Sequence, residues 1–427
     1  MKKLKSTFLV LLMATLCLIV YYMVGAITGS DGGNDDENES TKPQEEMTTD
    51  QIVENPIDNT DEKVTISLVA VGDNFAHESV IVSGKQNDGS YNYDFLFEGI
   101  KEYIKNADIA AIYQTMIIAG NEKGVSGYPT FNTPMEMMEA IENAGFNIAL
   151  MASNHTTDMG IDGIQNCINL WKNYNNVRVV GINESEESSV NIPIVEVKGK
   201  RIAVLNYTYG LNSPITDKTK QYLVNYLGTL DNETGKASET TLSHIVINDI
   251  KRAKDQADYV VVFPCWGDEY TFETGATEKK WAKQMTEAGA DLIIGAHTHY
   301  VGEVEEIVAD NGNTSMCYYS LGNFCSSFNN PSTMVGGMAR VNIVFDGEDV
   351  YIDNETSGIL PIVTHYTHSG KAGDEMATIV GVYPINMYTK EMASKHGIIT
   401  RGKVDFSIDF VNELIKKNIK DEYLLSE

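Results

Sequence analysis

The stretch Ala290-Asp-Leu-Ile-Ile-Gly-Ala-His-Thr-His-Tyr-Val301 joins an apolar run to a turn that presents two histidines, His297 and His299. The apolar run predicts a short buried strand. Alternate side chains of an extended segment point to one side, so an H-x-H pair can direct two imidazoles at one point. Imidazole is the commonest protein ligand for a transition metal. Taken alone, the pair predicts either half of a metal site or a polar loop without metal.

Strand-like and helical patterns alternate on the N-terminal side of this stretch. The β-branched runs lie at residues 64–71, 109–112, 148–151, 202–205 and 259–263. Helical patterns at residues 134–144 and 281–288 are followed by Gly145 and Gly289, as expected at a helix C-terminus. This alternation predicts an α/β fold. After residue 315, the runs at 316–321, 337–345 and 350–352 predict an antiparallel closing section of the same sheet system, and residues 405–417 have helical spacing.

The N-terminus predicts a membrane anchor. Met1-Lys-Lys-Leu-Lys5 precedes an almost unbroken apolar run from Thr7 to Ile27, which is about the length that spans a bilayer. Lysines before the run and acids after it predict a cytoplasmic tail and an extracellular bulk, as in a single-pass membrane protein. A cleaved signal peptide, with Val24-Gly-Ala26 as its cleavage site, is the alternative. Residues 28–63 are acidic and polar, which predicts a disordered linker.

Charge and cysteine content exclude two classes of protein. The 427-residue chain has a formal net charge of −28, which argues against a basic surface for nucleic acid and against attracting any polyanion to the surface as a whole. The five cysteines are Cys17 in the anchor, Cys167, Cys265, Cys317 and Cys325. They form no disulfide framework. Cys317 and Cys325 could pair, but buried free thiols are favoured.

Polar residues follow several of the predicted strands, where functional residues of open α/β sheets gather. They are Asp73, the pair Asn154 and His155, Cys265 and Glu269, and the pair His297 and His299. Carboxylate, amide oxygen and imidazole bind Mn, Fe or Zn, and two such metals can activate water and hold a phosphate. Singly, each has a structural interpretation, such as a turn, a helix cap or a buried thiol. Their joint occurrence at four strand ends favours a site.

Residues 64–324 resemble the capsule-synthesis CapA family, which is linked to poly-γ-glutamate and whose domain is similar to calcineurin-type metallophosphoesterases. The matching motifs are Gly72-Asp73, Phe131-Asn-Thr-Pro134, Asn154-His155 with Asp158 and Gly160, Trp266-Gly-Asp-Glu-Tyr270, Gly295-Ala-His-Thr-His299 and Tyr319-Ser-Leu-Gly-Asn-Phe324. The resemblance implies a four-layer α/β/β/α metallophosphoesterase-like sandwich at residues 64–346. A transmembrane helix at residues 1–27 would precede it, and a C-terminal extension at residues 347–427 would pack on the same domain.

The resemblance also implies roles for single residues. Asp73, Asn154, His297 and His299 would bind two metals, and His155 would be the general acid or a phosphate-binding imidazole. His77 matches a histidine of a family subgroup and would either bind metal or line the cleft. Trp266 and Glu269 are further cleft candidates.

The chain departs from the family at three expected ligand positions. Tyr113 and Thr115 stand where the family has Asn and a metal-bridging Glu, and Cys265 stands where it has His. A thiolate can bind zinc, but a threonine hydroxyl cannot replace the charge of a glutamate. Asp73 would be the only acid to balance two divalent ions. We therefore expect one weakly held Mn, Fe or Zn ion, or none.

Two hypotheses for the function follow. The chain is either a membrane-anchored phosphoesterase acting on a cell-surface polymer or its phosphorylated precursor, or a non-catalytic subunit for assembly or export of that polymer. In both, the expected partners are the membrane, other capsule-synthesis membrane subunits and, by resemblance only, an anionic polymer. A soluble binding protein for small ligands would fit the α/β core, but it would not explain the clustered metal-ligand residue types.

Overall fold

Two mixed sheets form the centre of the structure, a computed structural model that describes residues 63–231, 233–371 and 373–426. Sheet one consists of β1 (Val64–Asn74), β2 (Ile109–Tyr113), β3 (Ile148–Leu150), β4 (Arg178–Val180), β13 (Asn323–Cys325), β14 (Val335–Asp346), β15 (Asp349–Ile352), β16 (Gly358–Thr367) and β17 (Thr378–Pro384). Sheet two consists of β5 (Ile194–Val197), β6 (Lys200–Thr208), β9 (Tyr259–Cys265), β10 (Leu292–Ile294), β11 (Val304–Val308) and β12 (Thr314–Tyr318). A separate pair is formed by β7 (Gly228–Leu230) and β8 (Ala237–Leu242).

Ten α-helices are described between and after these strands. They are α1 (Glu78–Gly84), α2 (Lys101–Lys105), α3 (Glu136–Ala144), α4 (Gly160–Trp171), α5 (Glu186–Ser189), α6 (His244–Gln256), α7 (Ala276–Ala288), α8 (Lys390–Ser394), α9 (Ile398–Gly402) and α10 (Ile408–Asn418). The predicted tail and anchor at residues 1–27, the linker up to residue 62, and Cys17 lie outside the described residues. Within the described ranges, no helix is both long enough and apolar enough to cross a membrane.

The predicted strands are present, and the predicted helix ends are confirmed. α3 ends at Gly145 and α7 at Gly289, and both glycines are left-handed, with φ of 103° and 113°. Cys167, Cys265, Cys317 and Cys325 are all buried and free, which confirms that Cys317 and Cys325 do not pair.

The antiparallel closing section is only partly as predicted. β14 pairs antiparallel with β1, and β16 and β17 continue sheet one in the same way. The run that contains β12 was assigned to this section, and that was wrong. β12 lies in sheet two, parallel to β10, because the hairpin with β11 reverses the chain before β12 begins.

Alternate residues of sheet two face two different cores. Val261 and Phe263 of β9 pack in one core with residues of sheet one, whereas Val260 and Val262 pack in a second core with Val246 of α6 and Trp281 of α7. The first core also contains apolar side chains of α3 and α4. Sheet two is thus covered by sheet one on one face and by two helices on the other, as expected for a sheet buried on both sides.

Tyr113, the last residue of β2, ties the two sheets together. Its hydroxyl donates to the carbonyl of Ile294 at 2.6 Å and lies 3.2 Å from the carbonyl of Pro264. One buried phenol therefore joins β2 of sheet one to β9 and β10 of sheet two. This contact fixes the relative position of the strand ends that carry the polar residues.

Within the C-terminal extension, a buried histidine holds the segment around α8 and α9 against β16. His396 donates from Nε2 to the carbonyl of Thr364 at 2.8 Å, and its Nδ1 accepts from the Ile398 backbone N–H at 3.0 Å. The bond accepted at Nδ1 requires the neutral ring, and burial lowers the pKa of His396 to about 3. The segment around α8 and α9 is therefore held in a single position.

Replacing Tyr113 by Phe tests the contact between the sheets. We expect Tyr113→Phe to lower the free energy of unfolding by about 1–2 kcal/mol, because two buried carbonyls lose a hydrogen-bonding partner. Urea denaturation of residues 63–427 measures it. Tyr351→Phe, which removes an exposed hydroxyl that accepts from Lys63, is the matched control and should leave the unfolding free energy unchanged. Equal losses of unfolding free energy in the two variants would contradict this contact between the sheets.

Candidate functional site

Most of the predicted site residues converge at the carboxyl ends of β1, β9 and β10 and in the loop after β3. Asp73, His77, Asn154, His155, Glu269, His297 and His299 form this cluster, which we call the cleft. Cys265 and Thr115 lie beside it, and Tyr113 lies between the sheets beneath it. Trp266 lies elsewhere, in the core between sheet two and its helices, where its indole N–H donates to the carbonyl of Tyr319 at 2.9 Å.

Asp73 is fully buried at the centre of the cleft and is satisfied by two donors. The Thr115 hydroxyl donates to Oδ1 at 2.6 Å, and the His297 backbone N–H donates to Oδ2 at 3.0 Å. Burial raises the pKa of the Asp73 carboxyl, and these two bonds act against that rise. Gly72 allows the strand to approach closely here, because a Cβ would lie 1.9 Å from the carbonyl oxygen of Gly322.

The H-x-H segment does not have the extended backbone that the sequence argument assumed. β10 ends at Ile294, and His297 and His299 both have positive φ, 108° and 65°. The two ring centroids are nevertheless 6.2 Å apart, so the imidazoles converge through a turn. Left-handed backbone at a residue other than glycine costs about 1–3 kcal/mol and is found most often at functional sites. The convergence was predicted, but for the wrong geometric reason.

His299 is oriented by Asn323, a residue that the sequence argument did not single out. Asn323 donates from Nδ2 to the carbonyl of Thr333 and to the Ser326 hydroxyl, which leaves its Oδ1 to accept from His299 Nδ1 at 3.0 Å. The other nitrogen of His299, Nε2, lies 3.8 Å from Glu269 Oε1. The same imidazole lowers the pKa of Glu269. The signal for Asn323 was its position in the motif at residues 319–324.

His155 forms a pair with Asp158. Its Nδ1 lies 2.7 Å from Asp158 Oδ2, which also accepts from the Phe131 backbone N–H at 2.9 Å. A carboxylate only accepts, so the Nδ1 proton points to Asp158 and Nε2 keeps its lone pair. The side-chain amide of Asn212, for which the sequence offered no signal, lies 3.3 Å and 3.5 Å from the two ring nitrogens.

Asn154 carries an unsatisfied oxygen in the cleft. Its Oδ1 is buried and has no hydrogen-bond partner within the described part of the chain, while its Nδ2 lies 3.4 Å from Asn212 Oδ1. A buried polar atom without a partner requires an explanation, such as an ion or a donor from a ligand. The helix-cap interpretation does not hold, because α4 begins at Gly160 with Met159 as its N-cap.

Aromatic rings line the cleft between the imidazoles. Phe75 is the centre of this wall, with ring centroids 5.3 Å from His77, 6.1 Å from His155 and 4.8 Å from His299. Burial lowers the pKa of both His77 and His297 to about 3, so both rings are neutral at physiological pH. These two histidines can accept or donate hydrogen bonds, but they offer no positive charge to a polyanion.

The donor set does not fit two divalent cations. Thr115 uses its hydroxyl to donate to Asp73, and burial raises the pKa of the Cys265 thiol, which keeps it neutral. Among the described carboxylates that contact the cleft, Asp73 is then the only one that is fully buried. No group of three or more His, Cys, Asp or Glu side chains with the arrangement of a metal site occurs among residues 63–231, 233–371 and 373–426.

Comparisons with known proteins point to a capsule-synthesis family. A family model described as "Bacterial capsule synthesis protein PGA_cap" matches residues 67–327. The chain is 28% identical over 271 residues to the capsule biosynthesis protein CapA of Bacillus anthracis, over 62% of this chain and 60% of that protein. It is 26% identical over 234 residues to the PGA biosynthesis protein CapA of Bacillus subtilis (strain 168), over 54% and 56%. The match spans less than two thirds of the length of either relative.

Two solved structures show only a distant likeness. The protein TT1561 of Thermus thermophilus is 9% identical with a TM-score of 0.32, over 68% of this chain and 98% of that chain. The sulfate thiohydrolase SoxB of Thermus thermophilus, in complex with glycerol, is 11% identical with a TM-score of 0.31, over 61% and 41%. TM-scores at this level do not establish a shared fold.

The hydrogen bond from Thr115 to Asp73 can be tested by removing its hydroxyl. Thr115→Val keeps the shape but deprives a buried carboxylate of a donor, which should lower the unfolding free energy near pH 7 by about 1.5–3 kcal/mol. The loss should shrink as the pH falls and Asp73 becomes protonated, because the lost bond favours the charged form.

Thr364→Val is the matched control for this test. Its buried hydroxyl donates to the neutral carbonyl of Phe324 at 2.9 Å, so its loss should be smaller, about 1 kcal/mol, and independent of pH. Denaturation curves at pH 5 and pH 7.5 measure both variants. A loss for Thr115→Val that does not change with pH would contradict a charged Asp73.

Proposed function

Since the chain belongs to the bacterial capsule synthesis protein family PGA_cap, we propose that it takes part in making or exporting a capsule polymer at the cell surface. The observation that carries the proposal is the family match over residues 67–327, which includes every residue of the cleft. The two CapA relatives add support, and the name of one of them refers to PGA biosynthesis. Poly-γ-glutamate is accordingly the proposed polymer.

We further propose that the protein is membrane-anchored and acts outside the cell. The basic start and the apolar run at residues 7–27 support this placement. Other membrane subunits of capsule synthesis are the proposed partners. The two stacked sheets, with helices on the outer face of sheet two, support a four-layer sandwich of the metallophosphoesterase type.

The cleft supports a binding or assembly role better than two-metal hydrolysis. Thr115 and Cys265 are neutral where the family supplies ligands, and Asp73 already has two donors. We propose that at most one divalent ion, Mn, Fe or Zn, is held. Its ligands would be Asp73, His297, His299 and the unsatisfied Oδ1 of Asn154.

A phosphoesterase remains the alternative because of one observation, the intact pair of His155 and Asp158. With its Nδ1 proton directed to Asp158, His155 presents Nε2 to the cleft. That nitrogen can take a proton from an attacking water or, when protonated, give one to a leaving oxygen. Glu269 and the aromatic wall would orient the substrate beside it. A bound metal ion would supply charge stabilisation at the phosphate.

Complementation separates the two roles. In cells that lack this protein and its capsule, the wild-type chain should restore the cell-surface polymer. His155→Gln should restore it equally well if the role is binding or assembly, because only proton transfer is lost. Polymer is quantified after release from washed cells, with protein levels checked by immunoblot. Loss of polymer with His155→Gln at normal protein levels would favour the phosphoesterase, and no effect of the wild-type chain would reject the capsule role.

Metal content gives a second, independent test. We expect less than one equivalent of Mn, Fe or Zn on the purified protein and no hydrolysis of a generic phosphodiester. The double variant Thr115→Glu with Cys265→His should bind at least one equivalent more. Without metal its Tm should fall, because a second buried carboxylate is unpaired, and added Mn or Zn should restore it.

The neutral variant Thr115→Gln with Cys265→His is the matched control. It has nearly the same bulk but lacks the bridging charge. It should therefore not gain the extra equivalent of metal, and added Mn or Zn should not raise its Tm as in the glutamate variant. Elemental analysis and thermal unfolding with and without chelator provide the readouts. Equal metal content in the two double variants would show that position 115 is not a ligand position.

A further inference from the structure

The proton of His77 is fixed by a backbone contact. The Ser327 backbone N–H donates to His77 Nδ1 at 3.3 Å. A backbone N–H can only donate, so Nδ1 carries the lone pair and, in the neutral ring, the proton lies on Nε2. The identity of the donor, a backbone N–H, thus fixes the tautomer of the neutral ring.

The Ser327 peptide is itself held by the C-terminal extension. Its carbonyl accepts from Arg401 Nη1 at 2.6 Å, and Arg401 belongs to α9, beyond the residues that match the family. The guanidinium also lies 5.9 Å from the centre of the Tyr366 ring. The buried His396 holds the start of α9 in place. The chain of contacts therefore runs from the extension through the backbone of one residue, Ser327, to His77.

The Nε2 proton of His77 has no acceptor among the described residues. The ring is stacked on Phe75 and lies edge-on to Phe131 and Phe328, with ring centroids 5.6 Å and 4.4 Å away. None of these neighbours accepts a conventional hydrogen bond, and the His77 side chain is half-buried, so its Nε2 proton is left for an acceptor outside the protein. Phe75 also contacts His155 and His299, so His77 belongs to the same cleft.

This arrangement disfavours metal binding by His77. A metal needs the lone pair of a ring nitrogen, and the only lone pair of His77 already accepts from Ser327. What the ring offers is a donor in an apolar wall, close to the positive charge of Arg401. That combination suits an anionic oxygen.

We propose that His77 donates a hydrogen bond from Nε2 to a carboxylate or phosphate oxygen of the substrate, and that the C-terminal extension fixes this role through Arg401 and Ser327. The inference rests on the proposed function, since it assumes that the cleft takes the capsule polymer or its phosphorylated precursor. His77 is thereby a substrate-binding residue, and Arg401 is a positioning residue.

The tautomer is tested directly by nitrogen NMR of the full chain with ¹⁵N-labelled histidine. The two ring nitrogens of a neutral histidine differ widely in chemical shift, and the spectrum of His77→Phe assigns the signals. The wild-type ring should be protonated on Nε2. Arg401→Met should give a mixture of tautomers, and Arg401→Lys, which can still donate to Ser327, should retain the wild-type state. A proton on Nδ1 in the wild-type chain would overturn the inference.

Ligand binding is tested by calorimetry with two probes, a short γ-linked glutamate oligomer and inorganic phosphate. His77→Phe fills the ring volume without a donor and should weaken binding of the preferred probe at least fivefold. His77→Gln retains an N–H donor and should lose less. His244→Phe, at an exposed histidine on α6, should bind as the wild type does. The probe that binds shows whether the bound oxygen belongs to a carboxylate or to a phosphate.

The outcomes separate this inference from the proposed function. Wild-type binding that His77→Phe leaves intact would overturn the role of His77 and keep the proposed function. A wild-type chain that binds neither probe would reject both the ligand and the function on which it rests. Metal content provides a further check. It should be the same in His77→Phe and the wild type, whereas a fall would show that His77 binds metal. Thermal unfolding confirms that the variants are folded.

Discussion

The buried carboxylate of Asp73 is the constraint on which the cleft depends. A carboxylate with no exposed surface must be satisfied by the protein, and here the two donors follow strands of different sheets. Thr115 follows β2 of sheet one, and the backbone N–H of His297 follows β10 of sheet two. Asp73 thus joins the ends of both sheets, above the contact that Tyr113 makes between them. Moving either sheet would deprive the buried carboxyl group of one of its two donors.

The same constraint accounts for the strained turn at His297. A residue other than glycine with φ of 108° is unfavourable, yet this conformation directs its N–H at Asp73. A hydrogen bond to a charged group contributes about 1.5–3 kcal/mol, enough to offset the strain of one such residue. The turn also brings the two imidazoles together. The same turn therefore both positions the backbone donor and brings the two histidines together.

The sequence predicted the parts of this site that depend on local pattern. Apolar runs located the strands, and glycines located the ends of α3 and α7. Strand ends then brought Asp73, Asn154 and the H-x-H pair into one region. Sequence reasoning failed where a contact joins distant segments or where the backbone is unusual. Nothing in the local pattern links Ser327 to His77, and no periodicity reveals that β12 joins sheet two. Trp266 stood among the cleft candidates because it opens the motif Trp266-Gly-Asp-Glu-Tyr270, but its side chain packs in the second core, whereas Cys265 belongs to the first.

The C-terminal extension limits what can be transferred from relatives to this chain. The family match ends at residue 327, and that is the residue whose backbone N–H and carbonyl contact His77 and Arg401. The last residue of the family match is thus held by a hydrogen bond from a segment outside the match. Because this contact sets the proton of His77, the hydrogen-bonding character of the cleft depends on residues that a comparison restricted to the family region would omit. The cleft and the extension therefore have to be considered as one unit when a function is assigned, and a variant that lacks the extension would not report on the native cleft.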